Sequence, residues 1–470
     1  MSPAVTGPVY DPSSVGVGIV HFGPGAFFRA HQAAYVDALL ASDARWGICG
    51  VSLHSAGVRD ALVPQDGLYT LAVLDEQVSY RVIGALREVL VAPEDPEAVF
   101  ARLTRPEVRV VTSTVTEKGY CLGAGFALDF DHPDIAHDLA HPRTPRSFIG
   151  YVVEGLRRRR ESGQAPFVLI PCDNLPDNGR RLKAALAALA AKSDAGLAAW
   201  IGEKLTCPCT MVDSITPATD DALRARVTEA TGLEDNWPIQ REAFTQWVIE
   251  AHGNLDGPDW AGVGVTLTDN VPAFERAKLR LLNGPHSTLA YVGSLKGYET
   301  VYEAMQDAEL AGFVRALMLE DIAPLLEAPS GMDLAGYCEA ILRRFRNPAI
   351  RHLLAQIAWD GSQKLPIRIL SSLGEALDRG RDIRRFCAPL AAWMRFVVGK
   401  ARRGEAIVDP LADRLTAIGA ACDDSPADVD RFLSLTEVFP QALAGNAVFR
   451  EAVRGAYADC AKLNRIAAPA

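Results

Sequence analysis

Lys278, Asn283 and His286 stand at i, i+5 and i+8 in the segment "FERAKLRLLNGPHSTLAY", Phe274 to Tyr291. At about 100° per residue on an α-helix the three fall within an arc of about 140°, so one face holds an amine, an amide and an imidazole. Oxidising an alcohol carbon without a metal needs a base for the hydroxyl proton and donors for the alkoxide that develops as hydride leaves. These three side chains would supply both. Arg276 and Arg280 flank the lysine, and like charge with burial would draw its pKa toward neutrality, where it can accept a proton. Each residue alone has a plainer reading: an exposed lysine, a helix-end asparagine before Gly284-Pro285, a core histidine. Pro285 inside an apolar helical pattern costs about 3 kcal/mol unless the helix is interrupted there. An interruption beside three chemically able side chains tips the reading toward function.

A second cluster, "IPCDNLPDNG" from Ile170 to Gly179, follows a buried strand-like run. Ligands of open α/β sheets bind at the carboxyl ends of the strands. Asn174 is placed there as a further alkoxide donor; the alternative is that Asp173 or Asn174 only caps a helix beginning near Pro176.

Such groups need a scaffold, and the first half of the chain offers one. Strand-like runs at Val15–Phe22, Trp46–Leu53, Val108–Val115, Phe167–Pro171 and Pro208–Val212 alternate with helical patterns such as Ala26–Leu40. Runs with little polar alternation are expected of parallel strands covered on both faces, which is a doubly wound α/β pattern. Leu68–Leu74 and Val78–Ile83 flank a short polar stretch and predict a small antiparallel insertion. From about Pro272 onward the texture is helical. The expected organisation is a dinucleotide-binding domain over 1–270 and a helical substrate-binding, catalytic domain over 271–470, with the boundary near "TLTDNVP". "RRRR", Arg157 to Arg160, reads as a solvated helix end.

The run Val15–Phe22 delivers the chain to Gly23-Pro24-Gly25 and then a helix, as a phosphate-binding turn requires. Phe28 stands where the fingerprint's third glycine would be, so the helix must sit differently. The next strand ends "GVSLHS" with no carboxylate for a ribose diol; Ser52 or His54 could hydrogen-bond it, and Arg59 leaves NADP open beside NAD.

The chain of 470 residues carries a formal charge of −10 and nine cysteines. The length implies two domains, the charge argues against a nucleic-acid surface, and scattered cysteines without a leader-like start suggest a reducing cytosol. No apolar run is long enough to span a bilayer. Cys207-Pro208-Cys209 is the one close cysteine pair and has no histidine near it, so no metal site is expected. A cytoplasmic enzyme is the expectation, and the lack of a heptad seam fits a monomer. The non-enzyme alternative is a catalytically silent dinucleotide sensor.

"GPGAFFRAHQ", "TEKGYC", "CDNLPDNG", "MVDSITP", "FTQWVIE", "KLRLLNGPHS" and "DGSQKLP" occur in this order over nearly the whole chain. Together they resemble the mannitol dehydrogenase family of polyol-specific long-chain dehydrogenases. The resemblance implies a Rossmann-type N-terminal domain, a mostly α-helical C-terminal domain and zinc-independent chemistry with nicotinamide cofactor. It puts the lysine base on Lys278, the oxyanion asparagines on Asn174 and Asn283, and the orienting histidine on His286. It also implies substrate contacts from Asp213 and Lys364, with Phe22, Gly23, Gly25, Ala26, Phe27, Ser52, Thr116 and Glu117 as the cofactor-binding set. Ser52 replaces the aspartate of NAD-selective members, and Gln356 an arginine of mannitol-type members. "QIAWDGSQKLP" with "TEKGYC" is similar to the fructuronate reductase branch. The expected substrate is therefore a keto-uronate, its carboxylate met by Lys364 or Arg368; mannitol or a related polyol is the alternative.

Overall fold

Ile19 and Val20, Ile48 and Cys49, Val110 and Val111, and Val168 and Leu169 are sequence neighbours that bury into opposite apolar layers. Side chains on a strand alternate faces, so a sheet covered on both sides must be apolar at every position. The computed structural model describes residues 5–251, 255 and 257–463, and the chain divides into two units, Met1–Pro272 and Ala273–Ala470.

In chain order the first unit contains β1 (Val5–Thr6), β2 (Val17–Phe22), β3 (Gly47–Ser52), β4 (Tyr69–Leu74), β5 (Ser79–Ile83), β6 (Leu86–Val91), β7 (Val110–Ser113), β8 (Val168–Pro171), β9 (Thr210–Asp213), β10 (Ile239–Glu242), β11 (Gln246–Glu250) and β12 (Thr266–Thr268). The central sheet is parallel with order β6-β3-β2-β7-β8. The direction of strand order reverses between β2 and β7, which opens a crevice for a ligand at their carboxyl ends. β4 and β5 form the expected antiparallel insertion, flanked by β1 and β10.

Some expectations change. The run Pro208–Val212 becomes β9, which lies outside the central sheet and pairs antiparallel with β11 in a separate three-stranded sheet. The helix expected over Ala26–Leu40 breaks at His31, whose φ of −115° and ψ of −88° separate Ala26–Ala30 from Gln32–Leu39. "RRRR" is only partly a solvated end. Arg159 is buried and donates to the carbonyl oxygens of Leu103, Arg105, Val108 and Ala165, while Arg157, Arg158 and Arg160 pair with carboxylates.

Phe28 explains the incomplete glycine fingerprint. Its ring stacks on His21 of β2 with centroids 3.6 Å apart and planes 12° from parallel. The His21 imidazole meets Thr112 Oγ1 at 2.7 Å and Thr114 Oγ1 at 3.0 Å, and burial pushes its pKa down to about 3, keeping it neutral. A glycine at 28 would leave a ring-sized void over that histidine. Phe28→Gly is accordingly expected to destabilise the protein by about 3–5 kcal/mol, as large-to-small core changes do, read as a drop in the urea midpoint at unchanged slope.

The second unit is helical around Gly284–Leu295, where every residue from Gly284 to Gly293 is buried. A helix apolar on all sides belongs at the centre of its unit. Three π-helical segments occur among its described residues: Lys278–Asn283, Leu317–Ile322 and Pro366–Leu370. Each has a proline at its start or within two residues of its end, Pro285, Pro324 and Pro366. Proline lacks an N–H and crowds the carbonyl of the preceding turn, so a widened turn absorbs what would break an α-helix.

Candidate functional site

The segment expected as an interrupted helix from Phe274 to Tyr291 falls on an α-helix over Val271–Ala277, a π turn over Lys278–Asn283 and an α-helix from Gly284. The Gly284 N–H donates to the Leu279 carbonyl five residues back. A 140° arc computed at α-helical pitch therefore does not apply. In a π turn, residues five apart take the stacked relation that residues four apart have in an α-helix, which brings Lys278 and Asn283 onto one side more closely than the α-helical estimate did.

Lys278 and Asn283 are half-buried and His286 is buried. Among the described residues the Asn283 side-chain amide makes no hydrogen bond, and His286 Nε2 is enclosed without a partner. A buried nitrogen left unpaired costs about 1–3 kcal/mol, so this imidazole is held ready for a polar group. Its ring is fixed by Phe345, 4.4 Å between centroids, and by His352, perpendicular at 5.1 Å. Burial, then the neighbouring His352, Arg344 and Arg368, hold its pKa well below the usual range, so it stays neutral.

The two arginines that flank Lys278 are placed differently from one another. Arg280 Nη1 donates to Glu375 Oε2 at 2.5 Å, and Arg276 is exposed. The charge beside His286 comes instead from the third π segment. A Cβ on Gly284 would meet the Arg368 carbonyl oxygen at 2.9 Å, so glycine lets the two π segments pack closely. Arg368 Nη1 donates to Ser287 Oγ at 3.2 Å and has no carboxylate partner among the described residues. Lys364 reaches Asp360 only at 3.9 Å. Burial lowers the pKa of both cations, and for Lys364 the Arg368 charge adds to it. The second unit thus gathers Lys278, Asn283, His286, Lys364 and Arg368 around one pair of π turns.

In the first unit, Phe22 ends β2 and Gly23 follows with a φ of +86°. A Cβ there would overlap the Thr114 carbonyl, so only glycine fits. At Gly25 an added Cβ would meet nothing nearer than 3.9 Å. This open turn leads into the helix of Ala26 and Phe27, whose first N–H groups lie outside the helical ladder. The cradle suits the pyrophosphate of a dinucleotide. Thr116 and Glu117 follow β7 across the strand-order reversal, Asn174 follows β8, and Asp213 ends β9, where it is buried. Ser52 ends β3 and is buried, with no carboxylate at that strand end. Arg59 is held between Asp60, at 2.9 Å, and Glu94.

Asn174 is exposed and caps no helix. The bonds that set its loop run through Asn178, to which the sequence reading gave no role. Asn178, fully buried, donates to the Asp173 carbonyl and to Thr210, each at 3.1 Å, and accepts from Gly179 and Thr210 N–H. Thr116 adopts φ 63° and ψ 166°, a region nearly reserved for glycine that costs on the order of 1–3 kcal/mol. Its N–H donates to Asp173 Oδ1 at 2.7 Å. The family resemblance named Thr116, but sequence carried no signal of its strained backbone, because such strain shows no side-chain pattern. Among the described residues no group of three or more His, Cys, Asp or Glu side chains is placed to hold a metal ion.

Residues 17–262 match the mannitol dehydrogenase Rossmann domain and residues 270–461 the mannitol dehydrogenase C-terminal domain. The chain is 42% identical over 462 residues to the D-mannonate oxidoreductase of Escherichia coli (strain K12), covering 96% of this chain and 95% of that protein. It is similar to a D-sorbitol dehydrogenase solved in substrate-free form, with 34% identity, a TM-score of 0.88, and 96% of this chain and 94% of that one covered. It is also similar to the Pseudomonas fluorescens mannitol 2-dehydrogenase solved as a ternary complex with NAD and D-mannitol, with 36% identity, a TM-score of 0.82, and 98% and 96% covered.

Proposed function

The chain belongs to the mannitol dehydrogenase family and is an oxidoreductase of sugar acids or polyols, and from that membership we propose that it interconverts D-fructuronate and D-mannonate with NAD(H). The observation that carries the sugar-acid choice is Arg368, a partly desolvated guanidinium beside His286 with no carboxylate partner among the described residues. A desolvated cation without a counter-charge is costly, and a uronate carboxylate would complete it with paired N–H donors. Lys364 adds a second positive charge to the same region.

The Gly23–Gly25 turn and the residues that follow β7 would hold NAD(H), which would supply or accept the hydride. In reduction, protonated Lys278 gives its proton to the ketone oxygen. The amide of Asn283 donates to that oxygen while it gains charge, and the family resemblance assigns Asn174 the same role. Neutral His286 hydrogen-bonds a neighbouring hydroxyl through Nε2, which fixes the face of the carbonyl that is attacked. Oxidation reverses each transfer. Asp213 lies at the same end of the first unit and is assigned to the sugar hydroxyls. All of these residues come from one chain, so the reading asks for no second subunit, and it describes a cytoplasmic enzyme. Likeness to the D-mannitol complex supports a second reading as a polyol dehydrogenase; the same lysine and amides would serve it, and Arg368 would have less to do.

Steady-state rates with NADH against D-fructuronate, D-tagaturonate and D-fructose decide between them. The expected order puts D-fructuronate first in kcat/KM. A preference for D-fructose would overturn the sugar-acid reading. Cofactor choice follows from Arg59, whose charge is compensated by Asp60 and Glu94. It is not free to receive a 2′-phosphate, so NADPH is expected to be poorer than NADH by about tenfold or more, the weight of one charge-assisted contact. Glu94→Gln should narrow that ratio, measured as kcat/KM for the two cofactors.

A further inference from the structure

Asp173 is buried at the carboxyl end of β8, one residue before Asn174. Its Oδ1 accepts the Thr116 N–H at 2.7 Å, and its Oδ2 accepts from the Tyr120 hydroxyl at 3.0 Å and the Ser113 hydroxyl at 3.4 Å. Thr116 is the residue in the near-glycine backbone region, and such a conformation persists only where its surroundings impose it. One carboxylate therefore grips the strained residue after β7 while its own backbone leads into Asn174. On the other flank, the Asn178 side chain fastens the Asp173 carbonyl to Thr210 of β9.

We infer that Asp173 is a positioning residue, which locks the Thr116–Glu117 loop to the Asn174 loop so that cofactor-side and oxyanion-side groups form one rigid edge of the first unit. This rests on the reading that Thr116 and Glu117 meet the dinucleotide and Asn174 the reacting oxygen. Burial holds the Asp173 carboxyl up at about 6, against the pull of Tyr120, Thr116 and Ser113. The other titratable groups facing it are Glu117 on the same loop as Thr116, Cys172 beside it, and Cys207 behind Tyr120. Burial pushes both thiols and the Tyr120 hydroxyl up, out of the neutral range. As pH falls through about 6, Asp173 takes a proton and its grip on Thr116 loses the strength of a charge-assisted bond.

The test is NADH binding to the full-length protein, followed by fluorescence from pH 5 to 8, with kcat and thermal midpoint on the same samples. Wild type is expected to lose NADH affinity below about pH 6. Asp173→Ala should weaken NADH binding and lower kcat, each by about tenfold or more. Asp173→Asn can still accept from Thr116 and donate to Tyr120 and Ser113, so it should fold with an unchanged midpoint yet bind NADH without the acid limb. Glu117→Gln should keep that limb, moved to lower pH. Unchanged NADH affinity and an intact acid limb in Asp173→Asn would overturn the inference. Failure of every sugar acid and polyol to turn over would instead count against the catalytic reading, since the binding curves report the lock without turnover.

Discussion

Lys278→Ala lowers kcat by about 10²–10⁴-fold in both directions, the range expected when a positioned acid–base group is removed, while NADH binding stays near wild type. The direction of the pH effect is fixed by the chemistry. In oxidation the lysine must start neutral, so the wild-type rate rises with pH as the amine loses its proton; in reduction it must start protonated, so the rate falls as pH rises. In Lys278→Ala both dependences flatten. His286 contributes no competing limb, because burial keeps it neutral well below its usual range. The acid limb assigned to Asp173 belongs to NADH affinity and persists in this variant. Added primary amine should restore part of the lost rate, since position 278 is only half-buried. Near-wild-type kcat, or a preserved pH profile with the amine gone, would remove Lys278 from the mechanism.

The parts of this protein that announce themselves in sequence are those whose physics is periodic or local. The central strands were legible because burial on both faces demands unbroken apolar runs, as at Ile48–Val51. The turn at Gly23 was legible because its positive φ admits little else. β10, with the sequence IQRE, was not: Gln240, Arg241 and Glu242 are all buried, and no hydrophobic pattern survives there. Pairing beside β4, the bonds of the Gln240 side chain to Arg226 and the Ala218 carbonyl, and the Ile215 N–H donating to Glu242 Oε1 hold these polar groups through tertiary contacts that a single strand cannot reveal. Composition and motif supplied the residue types assigned to the site; they did not supply the relation of those residues to one another. The spacing of Lys278 and Asn283 was interpreted at α-helical pitch, whereas Pro285 widens that turn and changes the angle between them. The proline did mark the irregularity, but its sign lies in backbone geometry. Asp173 shows the same limit from another side: it sat inside a recognised motif, yet its role depends on a strained residue 57 positions earlier in the chain.

Arg368→Leu separates the two candidate substrate classes. Leucine keeps an aliphatic stem beside Ser287 but removes the charge that desolvation has made available. Truncating one partner of a desolvated charge pair costs about 2–5 kcal/mol, so kcat/KM for D-fructuronate should fall by roughly 30- to 5,000-fold, each 1.4 kcal/mol being tenfold. D-fructose has no carboxylate to lose and should change by less than about tenfold. Raised salt discriminates further: screening weakens the wild-type rate on the uronate and leaves the variant's flat. Arg368→Lys is the control for charge alone. It restores a cation without the planar fork, so it should recover only part of the lost rate. An equal fall on uronate and ketose would mean that Arg368 supports the π turn of Pro366–Leu370 and Gly284 packing rather than reading the substrate's acid group.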